Sequence, residues 1–234
     1  MARLPLTLAA SLAAALGVAA LGAARLPAQV VTVDEGSFTI SRGGQPVGRE
    51  EFRIRRTPGA TGDEYIASAT VTYDDRRLAP DLRADTRGAP LAYRLEVRVG
   101  AQTEERLTGQ VARGHFSAQL KTPRGESARE YVVSEGALVL DDDVFHQYYF
   151  VALGERGATV PVVVPRRNVQ VTMRVQDRGA SPVDVGGRSL AATHLVLSEP
   201  GGGDRDLWVD ASGRVLKVAI PGRGLVAQRN EPPR

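Results

Sequence analysis

Tyr65-Ile66-Ala67-Ser68-Ala69-Thr70-Val71-Thr72-Tyr73 is the stretch that decides the fold. Tyr65, Ala67, Ala69, Val71 and Tyr73 share one parity, and Ile66, Ser68, Thr70 and Thr72 hold the other. In a β-strand successive side chains point to opposite faces, so this pattern describes a strand with one buried face and one wet face. A strand of a parallel sheet, covered on both sides, would read as a continuous apolar run instead.

The same period extends outward in both directions. Leu91, Tyr93, Leu95, Val97 and Val99 alternate with Ala92, Arg94, Glu96 and Arg98. Phe116, Ala118 and Leu120 alternate with Ser117, Gln119 and Lys121, and Val169, Val171, Met173 and Val175 with Gln170, Thr172, Arg174 and Gln176. Turn chemistry separates these runs. Gly43-Gly44-Gln45-Pro46 joins a strand at 36–42 to one at 47–56, and Thr57-Pro58-Gly59 ends the second. Arg87-Gly88, Pro123-Arg124-Gly125, Gly186-Gly187 and Asp210-Ala211-Ser212-Gly213 break the chain in the same way. Breaks recurring about every 8–12 residues predict an all-β fold of roughly 11–13 antiparallel strands.

One segment departs from this period. Asp141-Asp142-Asp143 precedes Val144, Phe145, His146, Gln147, Tyr148, Tyr149, Phe150 and Val151. Val144, Tyr148 and Val151 fall at helical spacing, and an Asp before such a run suits a helix N-cap with further acids at the positive end of the dipole. The sequence therefore predicts one short helix within 141–153, acting as a plug or brace of the sheet.

Residues 1–28 have the pattern of a signal peptide: Arg3 as a positive n-region, an Ala- and Leu-rich stretch over 4–24, and small residues offering cleavage after Ala24 or Ala28. A retained membrane anchor is the competing reading of that run, because it is long enough to span. The expected division is a signal peptide over 1–28, a single antiparallel β domain over 29–230 and a disordered tail over 231–234. The expected location is periplasmic or secreted, with no stable membrane span after cleavage.

Composition bounds the chemistry. The 234 residues include no cysteine, which removes disulfides, thiolate metal sites, cysteine nucleophiles and a bacterial lipoprotein anchor. The formal net charge is +3, and losing Arg3 and Arg25 with the signal leaves +1. Arginines alternate with acids, as in Arg49-Glu50-Glu51, so the chain lacks the basic stripe of a nucleic-acid binder. Asp141, Asp142, Asp143 and His146 read either as an acid/base or hard-metal cluster or as a helix cap beside a histidine; no metal-binding or calcium-loop spacing accompanies them. His115 falls on the wet parity, whereas His194 lies among apolar residues of both parities. There is no G-x-S-x-G, and Gly201-Gly202-Gly203 lies between strands, outside the context of a phosphate loop. No motif implies a metal or a cofactor.

Aromatic residues make up 5% of the chain, yet Phe145, Tyr148, Tyr149 and Phe150 lie together, and Trp208 is the one tryptophan. Such a cluster either lines a pocket or fills a core. Phe145, His146, Tyr148, Tyr149 and Trp208 are the candidate ligand-binding residues.

Gly36-Ser37-Phe38-Thr39-Ile40 with Gly44-Gln45-Pro46-Val47-Gly48-Arg49-Glu50-Glu51-Phe52, then the aspartate turn into 144–149, then Leu207-Trp208-Val209-Asp210-Ala211-Ser212-Gly213-Arg214-Val215-Leu216-Lys217-Val218, together resemble a broad group of exported bacterial β-proteins of unknown function. That resemblance implies a large curved antiparallel sheet wrapped as an open or half barrel around a short helix. In shape it is similar to the LolA/LolB-like lipoprotein carriers, which hold acyl chains in the concavity. The missing cysteine departs from the LolB type, and no specific carrier motif is present.

The leading expectation is a soluble exported protein that holds a hydrophobic or lipid-like small molecule, or an envelope component, in the concavity of its sheet. The alternative is an envelope structural or interaction protein with a filled core and no ligand. An outer-membrane barrel would carry aromatic girdles and a terminal aromatic strand, and a hydrolase would show catalytic motifs; both fit less well.

Overall fold

The computed structural model describes residues 29–133 and 136–234. The signal-peptide expectation over 1–28 falls outside them. Eight strands run first, each paired antiparallel with the next: β1 (Val31–Arg42), β2 (Gln45–Gly59), β3 (Gly62–Tyr73), β4 (Arg76–Asp85), β5 (Pro90–Val99), β6 (Gln102–Ala112), β7 (His115–Thr122) and β8 (Gly125–Val132). Then come β9 (Leu138–Val139), a 3-10 turn (His146–Tyr148) that continues into α1 (Tyr149–Ala152), and β10 (Thr159–Val164). A 3-10 turn (Pro165–Arg167) leads into β11 (Val169–Ala180). The hairpin of β12 (Val183–Val185) and β13 (Arg188–Leu190) follows, and then β14 (Thr193–Glu199), β15 (Gly203–Val209), β16 (Val215–Ile220) and β17 (Leu225–Arg229).

Fifteen of these strands form one curved sheet in the order β8-β7-β6-β5-β4-β3-β2-β1-β17-β16-β15-β14-β11-β10-β9. β12 and β13 form a two-stranded ribbon of their own. Part of the difference from the expected 11–13 strands comes from β9, β12 and β13, which are only two or three residues long, too short to show a period. All pairs in the large sheet are antiparallel except β9 with β10. The first and last strands meet in its middle, Phe38 opposite Arg229 and Ile40 opposite Ala227.

The parity read from the sequence is the parity of burial. Tyr93, Leu95 and Val97 are buried while Arg94, Glu96 and Arg98 face outward, and the inner faces of all the long strands pool into one core. Among the described residues the ring is not closed by a strand ladder. Near the C-terminal end of β8, Tyr131 Oη donates to Asn168 Oδ1 at 2.8 Å, and Gln170 Nε2 donates to the Val132 carbonyl at 2.9 Å. Side chains therefore bridge β8 to the start of β11.

A second, small cluster lies on the outer side, where Val183, Val185 and Ala192 pack on Leu216 and against Trp208. Residues 231–234, expected as a disordered tail, instead lie along the barrel. The Arg234 carbonyl accepts from Arg214 Nη1 at 2.5 Å, and Pro232 and Pro233 are half-buried.

Candidate functional site

The segment from 141 to 152 fills the concavity. The predicted helix exists but is short, and Asp141 to Asp143 do not cap it: neither the 3-10 turn nor α1 has a side-chain cap or an acid in its first turn. The aspartates lie upstream, turned toward arginines of the barrel. Buried Asp141 accepts from Tyr93 Oη at 2.8 Å and from Arg166 Nε at 3.0 Å. Arg166 also donates to the Asp142 carbonyl. Asp143, with φ of 65°, takes Arg223 Nη2 at 2.5 Å, with Arg76 at 3.7 Å and Arg166 at 3.5 Å. Burial pushes the Asp141 carboxyl above its ordinary value, while Arg166 and Tyr93 pull in the opposite direction. The cluster is a set of structural ion pairs and hydrogen bonds rather than a helix cap, because arginines offer it better partners than backbone N–H groups would.

Downstream of the aspartates, Phe145, Tyr148, Tyr149 and Phe150 are all buried in the main core. Tyr149 and Phe150 pack edge-on against Tyr65, with ring centroids 5.8 and 5.9 Å away. His146 stacks at 6.0 Å on Phe52, which stacks at 5.0 Å on Phe38. Buried Tyr148 Oη accepts from Arg205 Nη1 at 3.1 Å, and Arg205 reaches Glu199 at 3.4 Å. Burial raises the Tyr148 hydroxyl above its ordinary range.

The group that holds this segment in place is Glu50 of β2. Its carboxylate accepts the Phe145 N–H at 2.7 Å, the His146 N–H at 2.9 Å and His146 Nδ1 at 2.5 Å, with both side chains at 0% exposure. Facing a carboxylate, Nδ1 carries the proton. His146 Nε2 and Gln147 Nε2 are buried with no hydrogen-bond partner among the described residues. An imidazole with its carboxylate is the geometry of a general base. Here the ring is sealed by Phe52 and the core, so no substrate atom reaches it.

The structure thus brings together four of the five candidate residues, Phe145, His146, Tyr148 and Tyr149, as core. It places the fifth elsewhere. Trp208 lies on the outer side of β15, stacked on His194 at 4.4 Å, beneath Lys217 at 4.7 Å, with Nε1–H donated to Ser181 Oγ at 3.2 Å. Trp208 is on the parity opposite Leu207 and Val209, so it cannot line the same concavity. His194, half-buried beside it, bonds Asp206 at 2.7 Å.

Two surface depressions are lined by other residues. One of about 660 Å³ runs over β5 to β8 beside Arg94, Gln110, Gln119 and Glu130. Another, of about 270 Å³, adjoins Asp142 between Arg167, Arg205 and Arg223. Glu199 pairs with Arg167 and Arg205, Arg223 pairs with Asp142 and Asp143, and Asp204 also lines the second depression, which leaves it without surplus charge for an anion. Among the described residues no group of three or more His, Cys, Asp or Glu side chains is placed to hold a metal ion.

The sequence reading missed Glu50, Arg205, Arg229 and Asp34. All four are buried, and Arg229 grips Asp34 through two bonds of 2.8 and 2.9 Å while lying over the Phe52 ring at 5.3 Å. A signal was present. Each sits on the apolar parity of its strand: Glu50 with Phe52 and Ile54, Asp34 with Phe38 and Ile40, Arg205 with Leu207, and Arg229 with Leu225 and Ala227.

No protein-family model and no curated protein matches the sequence. Among solved structures, the chain is similar to a β-barrel-like protein of the domain of unknown function DUF1849 from Brucella abortus. That protein is 8% identical over 87% of this chain and 98% of its own, with a TM-score of 0.48. The chain is also similar to a DUF1089 family protein from Pseudomonas aeruginosa, 14% identical over 92% of this chain and 98% of that one, with a TM-score of 0.39.

Proposed function

We propose that this chain is an exported envelope scaffold that acts through its outer surface, with its own chain in place of a ligand. The observation that carries the reading is the filled concavity. Val144, Phe145, Tyr148, Tyr149, Phe150 and Val151 occupy it and are tied to β2 by the Glu50 carboxylate. At about 1.5–3 kcal/mol per buried apolar side chain, expelling these residues would cost on the order of 10 kcal/mol. That is comparable to the whole stability of a typical domain, about 5–15 kcal/mol. An acyl chain entering the concavity would have to return all of it. The outer surface has broad strand faces, a groove on β5 to β8 and a partly open sheet edge. Export is inferred from residues 1–28 alone.

The test is titration of the purified mature protein with a fluorescent apolar probe, together with native mass spectrometry of protein taken from the envelope. The expected result is no saturable probe binding and a mass equal to the bare chain. One lipid or probe bound per chain, competing with packing of the 144–151 segment, would return the carrier reading to first place.

A further inference from the structure

β8 ends the large sheet, and its edge carries its own pairing instructions. The Val133 N–H donates to the Gly114 carbonyl at 2.9 Å. In an antiparallel pair, hydrogen-bonded and non-hydrogen-bonded residues alternate. Counting back from Val133, residues 131, 129, 127 and 125 bond to β7, and 132, 130, 128 and 126 turn their N–H and C=O groups outward. The Val132 carbonyl agrees, since it is the group that Gln170 reaches from outside the hairpin. Among the described residues that latch covers only the C-terminal end. Residues 125–130 are exposed on both faces, and Val132 is 66% exposed.

We infer that the free part of this edge pairs with the same edge of a second copy, antiparallel, about a twofold axis at Ser127. The charges select this occupant and this register. Outward groups must meet outward groups, so even-numbered residues face even-numbered residues across the axis. An axis at Ala128 sets Glu126 against Glu130 twice. An axis at Arg129 sets that arginine against itself, and one at Glu126 does the same for the glutamate. Like charges directly opposite one another disfavour pairing. With the axis at Ser127, Arg124 of the turn faces Glu130 of the second copy in both directions, Glu126 faces Ala128, and no like charges oppose. Glu126 keeps its own partner, Lys121, at 2.8 Å. The overlap spans 124–130 and stops short of the Tyr131–Asn168 and Val132–Gln170 latch, so neither copy has to open. Edge charges ordinarily blunt such strands; here their order rejects the competing registers and keeps one. An edge-to-edge contact of this length buries little area, so the dimer is weak and reversible.

Sedimentation equilibrium of the mature protein, from about 1 μM to about 1 mM, tests this. The wild type is expected to pass reversibly from monomer to dimer. Ala128→Pro removes an N–H that β7 does not use, and proline is tolerated at an edge; this variant is expected to remain monomeric. Glu130→Arg is expected to remain monomeric as well, and adding Arg124→Glu to it should restore the dimer. Should the proline variant fail to fold by circular dichroism, the charge-swap series decides. A wild type that is monomeric throughout overturns the inference, as does a folded proline variant that associates like the wild type or a charge swap that restores nothing. None of these results depends on whether the concavity binds a probe.

Discussion

Replacing Glu50 by alanine should unfasten the segment that fills the barrel. In the wild type one buried carboxylate accepts two backbone N–H groups and the His146 Nδ1–H, at 2.7, 2.9 and 2.5 Å. The alanine variant leaves three buried donors without an acceptor and opens a small void beneath Phe145. An orphaned buried donor costs about 1–3 kcal/mol. Three such donors together come to about 4 kcal/mol or more, and the void adds to that. For a chain of this size each kcal/mol moves the melting temperature by about 2–4 °C, so the expected drop is on the order of 10 °C. Glu50→Gln keeps one acceptor oxygen but turns an amide N–H₂ toward donors, so it should lie between alanine and wild type. Thermal and urea unfolding followed by circular dichroism measure the cost, and amide exchange at Phe145 and His146 locates it. An alanine variant within about 1 kcal/mol of wild type, with those two amides still protected, would refute the assignment of Glu50 as the clamp; so small a loss is what an ordinary surface site gives.

Arg229→Met should cost about 3–5 kcal/mol by stranding the Asp34 carboxylate, and adding Asp34→Leu should recover most of that in urea unfolding. Equal destabilisation in the single and double variants would rule out the ion pair as the cause. Asp141→Asn should alter how stability depends on pH. Burial raises the Asp141 carboxyl in the folded chain, so its protonation favours folding fully below the ordinary value of 3.8 and loses that effect as pH rises through the folded value. The wild type should therefore gain on the asparagine variant as pH falls from neutrality toward 3.8 in urea unfolding, and a gap that stays constant or narrows would contradict the shift.

The sequence by itself determined the antiparallel sheet, because the pleat imposes a period of two that anyone can count along Tyr65 to Tyr73 and Leu91 to Val99. It also determined where the period breaks, at the aspartates and aromatics after Leu140, since no strand can bury that run on one face. It placed the hairpin turns at Gly43-Gly44 and at Asp210 to Gly213 through backbone conformations that glycine and aspartate favour. Glu50 was legible in principle, as a charge on the apolar parity, but parity alone does not say what meets it. Only the tertiary structure decided that the break folds inward and fills the sheet instead of leaving a pocket. The contacts responsible join residues about ninety-five positions apart, Glu50 with Phe145 and His146. It also decided that Trp208, one step off the buried parity, belongs to the outer surface. A local period reports which face a side chain takes, whereas what lies opposite that face is set by the closing of the whole sheet.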